Sequence, residues 1–158
     1  MSKQIMVKMV LDAWNAKLKE ATAIFDALTD EQLQTEVAPG RNTGIYLLGH
    51  LIAEHDRMLP LLNMRERLYP EMDEDFITKA DAKKFALTAA ELRQRWKNIN
   101  SIFAEYFTKM PADAWFEKHN SVSAEDFAKE PHRNKLNVII TRTHHMAYHN
   151  GQVVFLKH

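Results

Sequence analysis

The chain contains no cysteine in its 158 residues. That absence excludes disulfides, thiolate metal sites and a cysteine nucleophile, and it fits a cytoplasmic protein. Any thiol used in chemistry has to come from a small-molecule cosubstrate. Glycine is scarce, with four residues, and no Asn-Gly or Asp-Gly sits between alternating apolar runs. Strand and hairpin signals are therefore weak throughout. No segment approaches the roughly 18–20 consecutive apolar residues of a membrane span. The opening residues carry Lys8, Asp12 and Lys17 and lack the apolar run of a secretory signal. Neither sign of charge is in excess, since Lys plus Arg is 21 and Asp plus Glu is 21. That balance speaks against nucleic acid as a partner, because phosphate binding wants a basic surplus.

What is present is helical periodicity. Hydrophobic residues make up 46% of the chain, enough for a core in one domain spanning 1–158. Apolar residues recur at steps of three and four in four stretches, about 3–28, 43–63, 89–109 and 134–156. In the first stretch Met6, Met9, Val10, Ala13, Trp14, Leu18, Ala21, Phe25 and Leu28 form the stripe. Asn42 or Thr43 caps the second, and Pro60 kinks or ends it. Thr88 and Glu91 form a capping box for the third, and Met110-Pro111 ends it. In the fourth, Leu136, Ile139, Ile140, Met146, Val153 and Val154 are the apolar positions. Gly151 interrupts that run and suggests close approach of another backbone or a ligand. Two long polar connections, 64–87 and 112–133, separate these stretches, and Trp115 and Phe116 are placed over the bundle end. The expected fold is all-α, an antiparallel four-helix bundle with long connections.

The segment from Thr143 to Gln152, THHMAYHNGQ, carries the chemistry. His145 and His149 are four apart, one turn apart on one helical face, so two imidazoles can reach one ion. His144 and His149 are five apart and diverge. A third donor has to come from another helix, and the second stretch offers His50 and His55. His50 lies among Leu47, Leu48 and Leu51, whereas His55 precedes Asp56-Arg57 and reads as nearer a polar surface. His50 is thus the preferred third ligand. Three imidazoles with an open position suit a catalytic site for Zn, Ni, Fe or Cu. Glu54, one turn after His50, is a candidate acceptor for an imidazole N–H or a base for water. Tyr148 and Gln152 are candidates to bond a ligand on the ion, and Arg142 to hold an anionic substrate. No residue is assigned as catalytic. His119, His132 and His158 read as solvated.

An apolar helix bearing LLGHLIAEHDR, followed late by His145-Met-Ala-Tyr-His149-Asn-Gly-Gln152, resembles the DinB/YfiT-like superfamily over nearly the whole chain. The resemblance implies a bundle holding one Zn or Ni ion through His50, His145 and His149, with water or substrate completing the shell. It also implies thiol-dependent transferase or isomerase chemistry with a low-molecular-weight thiol, and homodimers, as among characterised relatives. The usual ending of the motif is HRGQ, and Asn150 stands here in place of Arg, so any role of that Arg does not carry over. The expected function is a metal-dependent enzyme in which the ion activates a thiol or water for attack on a small electrophile. The alternatives are a non-catalytic metal-binding or stress-response bundle that dimerises or binds a partner, and a metal-dependent hydrolase. The expected partners are a small-molecule substrate and a second copy of the chain, with no nucleic acid and no membrane.

Overall fold

The computed structural model describes residues 2–157, which are all-helical with no named strand among them. Four long helices, α1 (Lys3–Ala27), α3 (Gly44–Leu61), α4 (Ala89–Lys109) and α6 (Lys135–Val153), are joined by short ones, α2 (Asp30–Leu33) and α5 (Ala124–Lys129). No helix is long and apolar enough to cross a membrane.

Each helix starts where a side chain meets its free N–H groups. Ser2, Thr43 and Asn134 accept from Ile5, Tyr46 and Asn137 at the starts of α1, α3 and α6. Thr88 and Glu91 form the expected reciprocal box on α4, and Thr29 and Gln32 form another on α2. Arg93 of α4 reaches across to the end of α1. It donates to the carbonyls of Phe25 and Leu28 and pairs with Asp30, meeting groups the helix leaves unsatisfied. Pro60 sits in the last turn of α3, which ends at Leu61.

Helix α1 packs along α6, and α3 packs along α4 and against α6. Trp14 meets Phe103 and Phe107 of α4, and Phe25 meets Trp96. The buried face of α6 runs through Leu136, Ile139, Thr143, Met146, Asn150 and Val153, a clean three-and-four alternation. On α1 the buried positions are Val7, Trp14, Ala21, Ile24 and Phe25, and Met9 is exposed. Met9, Ala13, Ile140 and Val154, expected inside, lie outside. Helix α3 is different: nearly every residue from Gly44 to Leu59 is buried, Glu54, His55 and Asp56 included. It runs through the middle of the molecule.

The two long connections have different jobs. The first folds back on α3: the buried carboxylate of Asp56 accepts from the Leu68 and Tyr69 N–H groups and from Arg67. Arg67 in turn clasps Asp73 through two bonds. A single wide turn, Glu74–Thr78, then brings Phe76 onto α3. The second connection binds the opposite end of α3, where Asn120 bonds the carbonyls of Pro60 and Leu61. There Trp115 is fully buried against Phe107, as expected for a plug over that end.

Candidate metal centre

Three imidazoles meet near the start of α3 and the end of α6. His50 Nε2 lies 3.1 Å from His145 Nε2, and His149 Nε2 lies 3.0 Å from the same atom. The rings stand nearly perpendicular to one another, at 72°, 79° and 82°. Each therefore aims an edge, not a face, at a common point. The spacing within α6 comes from one helical turn between His145 and His149. His50 comes from the first half of α3, where that helix crosses α6.

The far nitrogens of two rings are fixed. His50 Nδ1 donates to the Phe76 carbonyl at 2.8 Å, and His149 Nδ1 donates to Gln152 Oε1 at 2.8 Å. A neutral imidazole that donates from Nδ1 carries its lone pair on Nε2. His50 and His149 thus both point lone pairs inward, and His145 Nε2 can donate to only one of them. Two donors bound at about 2.0–2.1 Å to one ion, at right-angled to tetrahedral spread, lie about 2.9–3.4 Å apart. The observed separations fall in that range, and the outward nitrogens have the orienting partners typical of ligating histidines. The donor set fits a divalent transition ion.

The surroundings favour the neutral form of His145 and His149. Burial, and then the neighbouring His149 and His50, push His145 down to about 3. Burial likewise lowers His149, against the Gln152 bond and the Glu54 charge. Tyr46, one turn before His50, is stacked on its ring at 9°. Gly49 leaves room for Phe76, whose ring a Cβ at that position would overlap. Phe76 itself is buried against Tyr46 and Phe85.

The structure thus brings together His50, His145 and His149, the three residues singled out from the sequence, and no other His, Asp or Glu trio of ligand spacing is found among the described residues. Other expectations change. His55 is not near a polar surface: it is buried between Trp14 and Trp96, with Nδ1 donating to Asn100, and burial lowers it to about 3. Glu54 bonds no imidazole; it pairs with Arg142 at 2.5 Å and with Arg57 at 3.5 Å. Arg142 is thereby occupied, within a largely buried pair. Gln152 holds His149, and its amide nitrogen bonds the Tyr148 hydroxyl. Asn150 turns away from the cluster and bonds the Lys17 carbonyl, tying α6 to α1. Nothing approaches Gly151 closely: a Cβ there would meet open space. His144 and His132 are exposed, and His119 is half-buried beside Ser121. His158 lies outside the described residues. The first long connection reaches the cluster through Phe76. The second bonds α3 at Pro60 and Leu61, ten and eleven residues on from His50.

The Phe76 carbonyl was beyond sequence reasoning, since any residue supplies one. Gly49, a small residue beside a histidine in an apolar helix, was the one available hint of a close neighbour. A comparison with curated proteins finds no match. A family model described as the DinB superfamily matches residues 13–153, which takes in all three histidines and the four long helices but for the first turns of α1, and the chain belongs to that superfamily.

Proposed function

We propose that the chain is a metal-dependent enzyme in which His50, His145 and His149 hold one zinc or nickel ion and a small electrophile is attacked beside it. The observation that carries this reading is the convergence of three Nε2 atoms, with two of the rings, His50 and His149, held from behind. Three protein donors leave positions for an exchangeable ligand, as in catalytic sites. When bound, the ion would supply Lewis acidity, lowering the pKa of a thiol or water to give a nucleophile near neutral pH. The chain has no thiol of its own, so the nucleophile in the transferase form is a low-molecular-weight thiol, a choice that rests on family resemblance.

The chain's own residues supply orientation and charge. The Phe76 carbonyl and the Gln152 amide fix two rings. Burial disfavours protonation of His145 and His149. Glu54 lies beside His149 and is paired with Arg142 and Arg57, and that engagement weighs against the hydrolase form. We further read the long helices as one antiparallel bundle. Contacts that climb α1 from Trp14 to Phe25 descend α4 from Phe107 to Trp96, which supports that reading.

The test is turnover of 1-chloro-2,4-dinitrobenzene by zinc- and nickel-loaded protein with glutathione, cysteine and coenzyme A. Metal-dependent consumption, abolished in His145→Ala, is expected. No consumption above background with any thiol, with the ion still bound, would retire the transferase form and leave a non-catalytic metal-binding protein.

A further inference from the structure

A cavity of about 360 Å³ is lined by Tyr148 and Gln152, which flank His149 on α6. Its walls are Val37, Ala38 and Arg41 from the α2–α3 loop, and Tyr148, Gly151, Gln152 and Phe155 from the end of α6. That volume lies within the range of small-molecule sites. Three features of it bear on what it could hold.

The first is charge. Arg41 is the single charged residue lining the cavity. Arg57, Arg67, Arg93, Arg95, Arg133 and Arg142 each pair with a carboxylate. The guanidinium groups of Arg41 and Arg65 have no such partner among the described residues, and of the two only Arg41 lines this cavity. Glu36, the acid nearest to it in the loop, is already engaged by Lys83 and the Gly40 N–H. The second is apolar surface. Tyr148 and Phe155 are 64% and 62% exposed, large rings left facing solvent. The third is space at Gly151, where a Cβ would touch nothing.

A polarised chain of hydrogen bonds joins this cavity to the cluster. With Nε2 of His149 directed at the ion, its Nδ1–H donates to Gln152 Oε1. That fixes the amide, so Gln152 Nε2–H donates to the Tyr148 oxygen at 3.2 Å. The Tyr148 O–H is then left to donate to a further acceptor. Arg41 and Tyr148 thus offer two donors, flanked by ring surface, and no acceptor competes as an anion.

We propose that this cavity is the subsite for the carboxylate of a small substrate with a flat, apolar body, with Arg41 as the residue that reads its charge. Arg is suited to this because its planar fork matches a carboxylate. The inference rests on the reading of the cluster as a metal centre, since it makes the cavity part of that centre's substrate site.

The test is calorimetric titration of zinc-loaded protein with benzoate and with its neutral analogue benzamide, zinc content being measured on every sample. Saturable benzoate binding is expected, with none for benzamide. Arg41→Gln should weaken it by about tenfold or more, the loss of a charge-assisted hydrogen bond. Gly151→Leu, which fills the cavity from an open helical position, should abolish it, and both variants should retain zinc. Absence of saturable binding at tens of millimolar in zinc-loaded wild type, or equal affinity in Arg41→Gln, would overturn the proposal. Because zinc retention is read separately, a failure of the subsite is distinguishable from a failure of the metal centre.

Discussion

Replacing Gly49 by Ala should destabilise the protein and weaken its hold on metal, although the same change in an exposed helix is stabilising. A mid-helix Gly→Ala change ordinarily gains about 0.8–1.0 kcal/mol. At position 49 the new methyl would overlap three carbons of the Phe76 ring, Cζ at 2.7 Å among them. Carbon contacts want about 3.5–4.0 Å, so the ring must shift by an ångström or more. It cannot do so freely, since Phe76 is 1% exposed and packed on Tyr46 and Phe85. Overpacking of this kind costs about 1–3 kcal/mol. Set against the helical gain, a net loss of up to about 2 kcal/mol is expected. The Phe76 carbonyl that orients His50 moves with its residue, and loss of such a partner weakens metal affinity about 10–100-fold. Gly151→Ala is the control: its Cβ meets open space, so it should gain about 1 kcal/mol and bind metal as wild type does. Urea unfolding of apo-protein and a competitive zinc titration read both quantities. A Gly49→Ala protein as stable as Gly151→Ala, with unchanged zinc affinity, would refute the claim that the Phe76 ring fills the space Gly49 leaves while its carbonyl orients His50.

Two further predictions concern buried ionisable groups. Asp56→Ala removes the acceptor for two backbone N–H groups and Arg67 in a fully buried position and should cost about 3–5 kcal/mol; a loss below about 1 kcal/mol in urea unfolding would contradict the role given to that carboxylate. Acid should weaken the apo-protein before its carboxylates titrate. His55 has a folded pKa of about 3 against an ordinary value of 6.5, so the unfolded chain binds the extra proton, and the stabilisation is complete above 6.5 and is lost as pH falls from there toward 3. The contribution of His55 to that slope is at most about 1.4 kcal/mol per pH unit, and His145 and His149 act in the same direction. Unfolding measured between pH 7.5 and 5 should show a shallower slope in His55→Gln, and an unchanged slope would contradict the burial argument.

The four long helices were legible because their apolar spacing is local and their ends carry short-range caps: Thr88 and Glu91 mark α4 in sequence and in structure alike. The pair His145 and His149 was legible for the same reason, since one helical turn fixes their relation. His50 was chosen over His55 from neighbouring residue types, and that reasoning was only partly sound. Both lie on a helix buried nearly all round. His55 looked exposed because Glu54, Asp56 and Arg57 surround it in sequence, yet Arg142, Arg67 and Asn100 from elsewhere satisfy those polar groups inside. Partners so distant in sequence leave no mark on the local pattern. The same holds for the Phe76 carbonyl, and for Gly151, where a helix-breaking residue suggested contact and the structure shows space.

The most direct test of the central claim is metal content by elemental analysis of tag-free wild-type protein and His145→Ala, each after incubation with zinc and with nickel. His145 is the ring whose Nε2 lies within 3.1 Å of both others, so its loss should empty the site while leaving the helices intact. The account predicts close to one ion per chain in wild type and none held by the variant. No metal in either protein, or equal retention by both, would contradict it.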